Sequence, residues 1–264
     1  MGNGHGYGDF DVTLQCQRTS YKLDNRQANK LHGKSACLPV TTNLSAKRKK
    51  MKQYDTYIFD LDGTLLYTLD DLTASVNHAM RAEGFKEHTV EEVRMMVGNG
   101  VRKLIERAVP DGKENPRYEE TYQEFIDHYM KHSMDTTRPY PGIMETLAEL
   151  KRRGKRMAVV SNKYCKATEA LCRTFFKDYI SVAIGESEQV RKKPAPDTVL
   201  EALRRLDTGK DGAVYVGDSE VDIATARNCG LPCISVLWGF RDKDFLIENG
   251  ATTLADEPKE LVNS

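Results

Sequence analysis

The chain has 264 residues, 39% of them hydrophobic and 30% charged, with 39 Lys/Arg set against 39 Asp/Glu. That composition excludes a collagenous or broadly disordered protein, and no run approaches the roughly 20 apolar residues that a membrane helix needs. The charge is unevenly spread: residues 1–50 hold nine Lys/Arg and three Asp/Glu, and the remainder hold 30 and 36. A mildly acidic body argues against nucleic-acid binding as the main work. The six cysteines, at 16, 37, 165, 172, 229 and 233, form no CxxC pair. Reduced thiols in a cytoplasm fit this better than a metal cluster or a disulfide scaffold.

Residues 1–50 open with a Gly/His/Asn string and close with Lys47-Arg48-Lys49-Lys50. They show neither helical nor strand periodicity. No apolar h-region follows a charged start, so a secretory signal is not expected. Gly6 stands where a myristoylation motif wants Ser or Thr. One reading is a flexible basic tail. The preferred one is a disordered leader without catalytic work, or a start set upstream of the true one, because Met51 is followed at once by a strand-like opening.

From Tyr54 the pattern alternates. Buried strands are expected at 56–59, 156–160, 180–184, 213–216, 233–236 and 251–254, with helices at 143–153, 166–176, 198–206 and 221–229. Strands separated by helices of this length imply right-handed crossovers and a mainly parallel, doubly wound, Rossmann-like α/β sheet. Such sheets carry their chemistry at the carboxyl ends of the strands. Between Leu65 and Arg138 only helical patterns occur. Leu69, Leu72, Val76, Ala79 and Met80 recur at helical spacing, Thr89 and Glu92 form a capping box, and two further stripes begin at Val101 and Tyr118. The expected organisation is a core domain of residues 51–66 and 139–264, with an inserted all-helical cap of residues 67–138 lying over the strand ends.

Four strand ends carry polar signals. Asp60-Leu61-Asp62-Gly63-Thr64 offers two carboxylates on a turn, or merely a surface Asp-Gly turn. Ser161-Asn162-Lys163 supplies a hydroxyl and an amide, or a helix cap. Lys193 stands in the stiff segment Lys193-Pro194-Ala195-Pro196, or belongs to a solvated run with Arg191 and Lys192. Asp218 and Asp222 lie four apart on a strand-to-helix turn, where they could also complement the helix dipole.

In this order, with a helical insert after the first, the four motifs resemble the haloacid dehalogenase-like superfamily over essentially all of residues 54–264. Val97-Gly98-Asn99-Gly100 and Pro139-Tyr140-Pro141-Gly142 are similar to the phosphoglycolate-phosphatase branch. The resemblance implies a Mg²⁺-dependent phosphomonoester hydrolase acting on a small phosphorylated metabolite, phosphoglycolate being one candidate. Asp60 would be the nucleophile, giving an aspartyl-phosphate, and Asp62 the general acid and base. Asp60, the Asp62 main-chain carbonyl and Asp218 would hold the metal, with Asp222 a ligand or a partner behind it. Ser161 and Lys193 would hold the phosphoryl oxygens, with Asn162 and the backbone around Gly63-Thr64 as secondary candidates.

The second Asp separates this chain from true dehalogenases, and Lys103 is not assigned a Schiff-base role. The branch usually has an acid where Tyr67 stands. A pyrophosphatase, a nucleotide phosphatase or a phosphomutase of the same superfamily remains open. The non-enzyme alternatives are a receiver-like phosphoacceptor and an inactive scaffold. Since the core motifs handle only the phosphoryl group, discrimination is expected from the cap turn, where Asn99 or Arg102 would meet the far end of a small anionic substrate, with no nucleic acid, no membrane and no fixed oligomeric state implied.

Overall fold

The computed structural model describes residues 53–263; the expected leader lies outside the described residues. The chain enters through β1 (Thr56–Phe59), whose four residues are all buried. A two-residue strand, β2 (Leu66–Tyr67), leads into α1 (Leu69–Ala82), α2 (Val90–Met96), α3 (Val101–Ala108) and α4 (Tyr118–His132). The chain returns through β3 (Arg138–Pro139), which pairs antiparallel with β2. It then alternates through α5 (Ile143–Arg152), β4 (Arg156–Tyr164), α6 (Cys165–Phe176), β5 (Val182–Glu186), α7 (Asp197–Arg205), β6 (Ala213–Gly217), α8 (Glu220–Cys229), β7 (Cys233–Val236), α9 (Lys243–Glu248) and β8 (Leu254–Ala255). Six strands form one sheet in the order β5-β4-β1-β6-β7-β8, every pairing parallel.

The strands read as unbroken apolar runs because both faces of the sheet are covered. Successive side chains point to opposite faces. Tyr57, Phe59, Met157, Val159, Val214 and Val216 pack with Leu147, Leu150, Leu171 and Phe176 on one side. Ile58, Ala158, Val160 and Tyr215 pack with Val199, Ala202, Leu203 and Ala226 on the other. A third cluster belongs to α1–α4: Leu72, Val76, Met80, Val93, Leu104, Ile105, Phe125 and Tyr129, joined by Phe240 from the loop after β7. The capping box on α2 forms as the spacing predicts, with the Glu92 and Thr89 backbone amides each donating to the other's side chain.

Several bounds differ from the sequence expectation, each for a local reason. The second long strand does not stop at Val160 but runs to Tyr164. Its pairing with β5 resumes past a register shift, so Ser161, Asn162 and Lys163 stay extended and buried. Strand β5 starts at Val182 rather than 180, because the Ile180 amide donates to Phe176 O and closes the preceding helix. Likewise Ala251 donates to Leu246 O, which delays the last strand to Leu254. The β2–β3 pair and α9 are too short to leave a periodic signal.

Where the insert joins the sheet, buried Asp71 gathers the returning chain. Its carboxylate accepts from the Thr136 amide (3.0 Å), the Thr136 hydroxyl (2.6 Å) and the Thr137 amide (2.9 Å). The Arg138 guanidinium lies 4.5 Å from the centre of the Tyr67 ring, and the Tyr67 hydroxyl donates to Asp70 at 2.8 Å. Replacing Asp71 by Ala strands the buried Thr137 amide, so stability should fall by about 1–3 kcal/mol. A urea midpoint for Asp71→Ala within about 0.5 kcal/mol of the parent would contradict that role.

Candidate active site

Asp60 follows directly on β1, the central strand flanked by β4 and β6, so three strand ends converge on it. Its carboxylate lies 2.8 Å from Lys193 Nζ, and the same ammonium reaches Asp222 Oδ1 at 2.8 Å and the Tyr215 hydroxyl at 3.1 Å. Burial would push the Lys193 pKa down, but Asp222 and Asp60 outweigh it and the shift is upward. Asn162 fixes the lysine's backbone: its amide oxygen accepts from Lys193 N (2.8 Å) and its amide nitrogen donates to Lys193 O (3.0 Å).

Asp218, at the end of β6, accepts from the Thr64 hydroxyl (3.0 Å) and the Phe240 amide (2.8 Å). Asp222, one turn into α8, accepts on Oδ2 from the Ser219 hydroxyl (2.6 Å) and amide (3.1 Å), and on Oδ1 from Tyr215 (2.9 Å) and Lys193. Oxygens of Asp60, Asp218 and Asp222 lie within 4.8 Å of one another, all buried. Burial pushes Asp60 well above the carboxylate range, with Lys193 opposing and Asp222 and Asp218 adding to the rise. Burial, then Asp222, takes Asp218 up to about 7. With all three carboxylates ionised beside one ammonium the cluster would carry two excess negative charges, which a divalent cation would cancel.

The backbone is shaped around these acids. Gly63 has φ +86°, and a Cβ there would lie 2.3 Å from Asp218 Oδ2. A Cβ at Gly239 would lie 2.2 Å from the Asp218 Cβ and 2.6 Å from Gly63 O. Only glycine lets these turns close over the carboxylate.

Asp62 is held separately. Its two oxygens meet Lys163 Nζ at 2.9 and 3.1 Å, the lysine being almost fully buried. Ser161 is buried too, its hydroxyl accepting from Lys163 N at 3.2 Å. Asp60, Asp62, Ser161, Lys163, Lys193 and Asp218 line one cavity of about 60 Å³. The insert closes it with Leu72, Val97, Gly98, Gly100, Val101, Leu104 and Tyr129, and the loop after β7 with Phe240 and Arg241. The loop and the insert are tied reciprocally. Arg241 donates to Arg94 O (2.9 Å) and Val97 O (2.7 Å), and Arg94 donates to Phe240 O (2.5 Å).

The Asn162 side chain lines the cavity while clasping the Lys193 backbone, and the Thr64 side chain is held by Asp218. Two expectations need correction. Arg102 does not face the cavity: it pairs with Glu119 at 2.9 Å and stacks 4.1 Å from the centre of the Tyr122 ring, since an exposed cation on α3 finds its partners on neighbouring α4. Asn99 lies with it in an outer groove, its main-chain oxygen accepting from Lys192 at 3.4 Å, while only the backbone of the flanking glycines reaches the site. Lys163, Tyr129, Tyr215 and Arg241 carried no predicted role. Lys163 had a signal, an ionisable residue inside a buried strand end, whereas Arg241 lies in a loop with no pattern.

Architecture and site together define a doubly wound α/β protein with a buried carboxylate cluster and two buried lysines at the carboxyl edge of its sheet. Residues 57–236 match the haloacid dehalogenase-like hydrolase family, and the chain belongs to it. A phosphoglycolate phosphatase of Aquifex aeolicus is 32% identical over 185 residues, covering 69% of this chain and 84% of that protein. An N-acetylmuramic acid 6-phosphate phosphatase of Pseudomonas aeruginosa is 32% identical over 220 residues, covering 82% and 96%. A crystal structure from Lactobacillus delbrueckii subsp. bulgaricus, provisionally described as a phosphoglycolate phosphatase, superimposes with a TM-score of 0.77 at 34% identity, covering 80% of this chain and 98% of that one.

Protons and a cation compete for the same carboxylates. Because Asp218 holds its proton until about pH 7, the rise in Tm when a divalent cation is added to chelator-stripped protein should be small at pH 5 and larger at pH 8. An equal rise at both values, read by differential scanning fluorimetry, would mean the cation binds elsewhere.

Proposed function

We propose that the protein is a Mg²⁺-dependent phosphatase of small phosphomonoesters in the cytoplasm, working through an aspartyl-phosphate on Asp60. Residues 51–66 and 139–264 serve as its core and 67–138 as a cap over the site. The observation that carries this reading is the division of the carboxylates into two sets. Asp60 is paired with Lys193 at 2.8 Å, in the cluster with an excess of negative charge. Asp62, two residues on, is kept apart by its own lysine at 2.9 Å. One group can attack phosphorus while the other handles the proton of the leaving alcohol. The relatives' activities on phosphoglycolate and on a sugar 6-phosphate support the substrate class. The small cavity favours the shorter ester. Free Cys165, Cys172, Cys229 and Cys233 suit a reducing compartment.

Asp60 and Asp218 would hold the ion, with the Asp62 main-chain carbonyl. Asp222 takes part through Lys193, because both its oxygens are already engaged. When bound, Mg²⁺ supplies charge that lets an anionic nucleophile meet an anionic ester. The chain's own groups do the rest. Lys193 and the Ser161 hydroxyl neutralise and orient the phosphoryl oxygens. Asp60 attacks in line and the P–O bond to the alcohol breaks. Asp62 gives its proton to the departing oxygen, then takes one from the water that hydrolyses the acyl phosphate. The apolar underside of α1 and α3 excludes bulk water meanwhile.

Turnover of p-nitrophenyl phosphate and phosphoglycolate with Mg²⁺, and its loss in EDTA, is the direct test. Asp60→Asn should lower kcat by at least about 10³-fold. Asp62→Asn should instead accumulate a phosphoenzyme visible as an added phosphoryl mass. Near-normal rates in Asp60→Asn would end this mechanism.

A further inference from the structure

With Arg102 and Asn99 outside the cavity, something else must read the leaving group. Of the residues that the insert contributes to the cavity, Tyr129 alone has a polar side chain; the rest are aliphatic or glycine. Tyr129 comes from α4, is only 3% exposed and stacks on Phe125, with ring centroids 5.3 Å apart. Among the described residues its hydroxyl meets only the Lys163 ammonium, itself a donor, so the hydroxyl's own proton has no acceptor. A ligand oxygen would accept that proton and relieve the cost of burying it unmet. Beside it lies a cation, Lys163 Nζ, 4.8 Å from the centre of the same ring and lining the same cavity. Lys163 is not needed to hold phosphate next to the nucleophile, where Lys193 already sits at 2.8 Å. It sits instead against Asp62, the group that must face the departing oxygen.

We propose that Lys163 and Tyr129 together receive the carboxylate of a short anionic leaving group, and so set the specificity of the phosphatase read above, on which this inference rests. A carboxylate oxygen accepts from the tyrosine hydroxyl and meets the ammonium, whose three donors are not exhausted by Asp62. A polyhydroxylated sugar would find one hydroxyl and an apolar lid, which leaves most of its polar groups unpaired. Tyr129 belongs to the insert and Lys163 to the sheet, so a bound carboxylate would also bridge the two.

The test compares kcat/KM for phosphoglycolate and for ethyl phosphate, an ester of the same length without the carboxylate. The ratio within one preparation is insensitive to the fraction of active protein, so a merely structural defect does not move it. Wild type should prefer the carboxylate by at least about tenfold. Lys163→Met should bring the ratio close to one, and Tyr129→Phe, which keeps the ring and its packing, should lower it several-fold, mainly through KM. Should Lys163→Met fail to fold, Tyr129→Phe carries the test. Arg102→Ala, outside the cavity, should leave the ratio where it was. A wild type without preference, or a preference that survives Tyr129→Phe and any folded Lys163→Met, overturns the proposal. Failure of wild type to hydrolyse any ester overturns the phosphatase reading itself.

Discussion

The ammonium of Lys193 stands 2.8 Å from both Asp60 and Asp222, and much of the surrounding structure serves to keep it there. A buried cation is tolerable only when paired and hydrogen-bonded, and a buried group of carboxylates only when something opposes their repulsion. Each answers the other's need. Asn162 clasps the lysine backbone through both amide atoms, Tyr215 bonds to the ammonium and to Asp222, and the Ser219 cap holds the remaining Asp222 oxygen. These partners come from the ends of β4 and β6, the segment after β5 and the first turn of α8. The ion pair therefore depends on the sheet order that brings those ends together.

A second, smaller pair stands beside it and is insulated from it. Asp62 is paired with Lys163 and Asp60 with Lys193, so the two acids of one short turn meet different electrostatic surroundings. Asp60 is pushed upward by burial and by its acidic neighbours, whereas Lys163 is raised by Asp62 against the effect of burial. Differing environments of this kind let neighbouring carboxyl groups take separate tasks.

The insert is fastened to this edge in two ways. Asp71 and the β2–β3 pair hold its root. At the far side Phe240 enters its apolar cluster, and Arg241 bonds to the carbonyl groups at the end of α2, a helix terminus that needs donors. One loop after β7 thus supplies the Phe240 amide to Asp218 and the Arg241 guanidinium to the insert. The lining of the cavity and the seat of the insert are parts of the same segment.

The strand runs, the helical stripes of residues 69–129 and the order of the four polar strand ends were legible in the sequence, because periodicity and turn chemistry are local properties. Asp60, Ser161, Lys193 and Asp218 stand at those strand ends, where only the family resemblance gave them roles, and the structure brings them into one cavity. Which partner each side chain chooses was not legible. Arg102 and Arg241 are both arginines near glycine turns, yet one pairs with Glu119 in solvent and the other reaches into the site. That the Asn162 side chain clasps the Lys193 backbone and the Thr64 hydroxyl donates to Asp218 is announced by no local pattern. Tyr129 reads as one more member of a packing stripe, and only its burial beside Lys163 distinguishes its hydroxyl. Such choices are settled by distances between groups far apart in the chain: Asp62 and Lys163 are 101 residues apart, Thr64 and Asp218 154. By itself the sequence determined the layered α/β pattern and the residues able to do the chemistry. Tertiary packing decided which of them are buried, paired and turned toward the cavity, because burial and Coulomb energy depend on neighbours that only the closed sheet brings together.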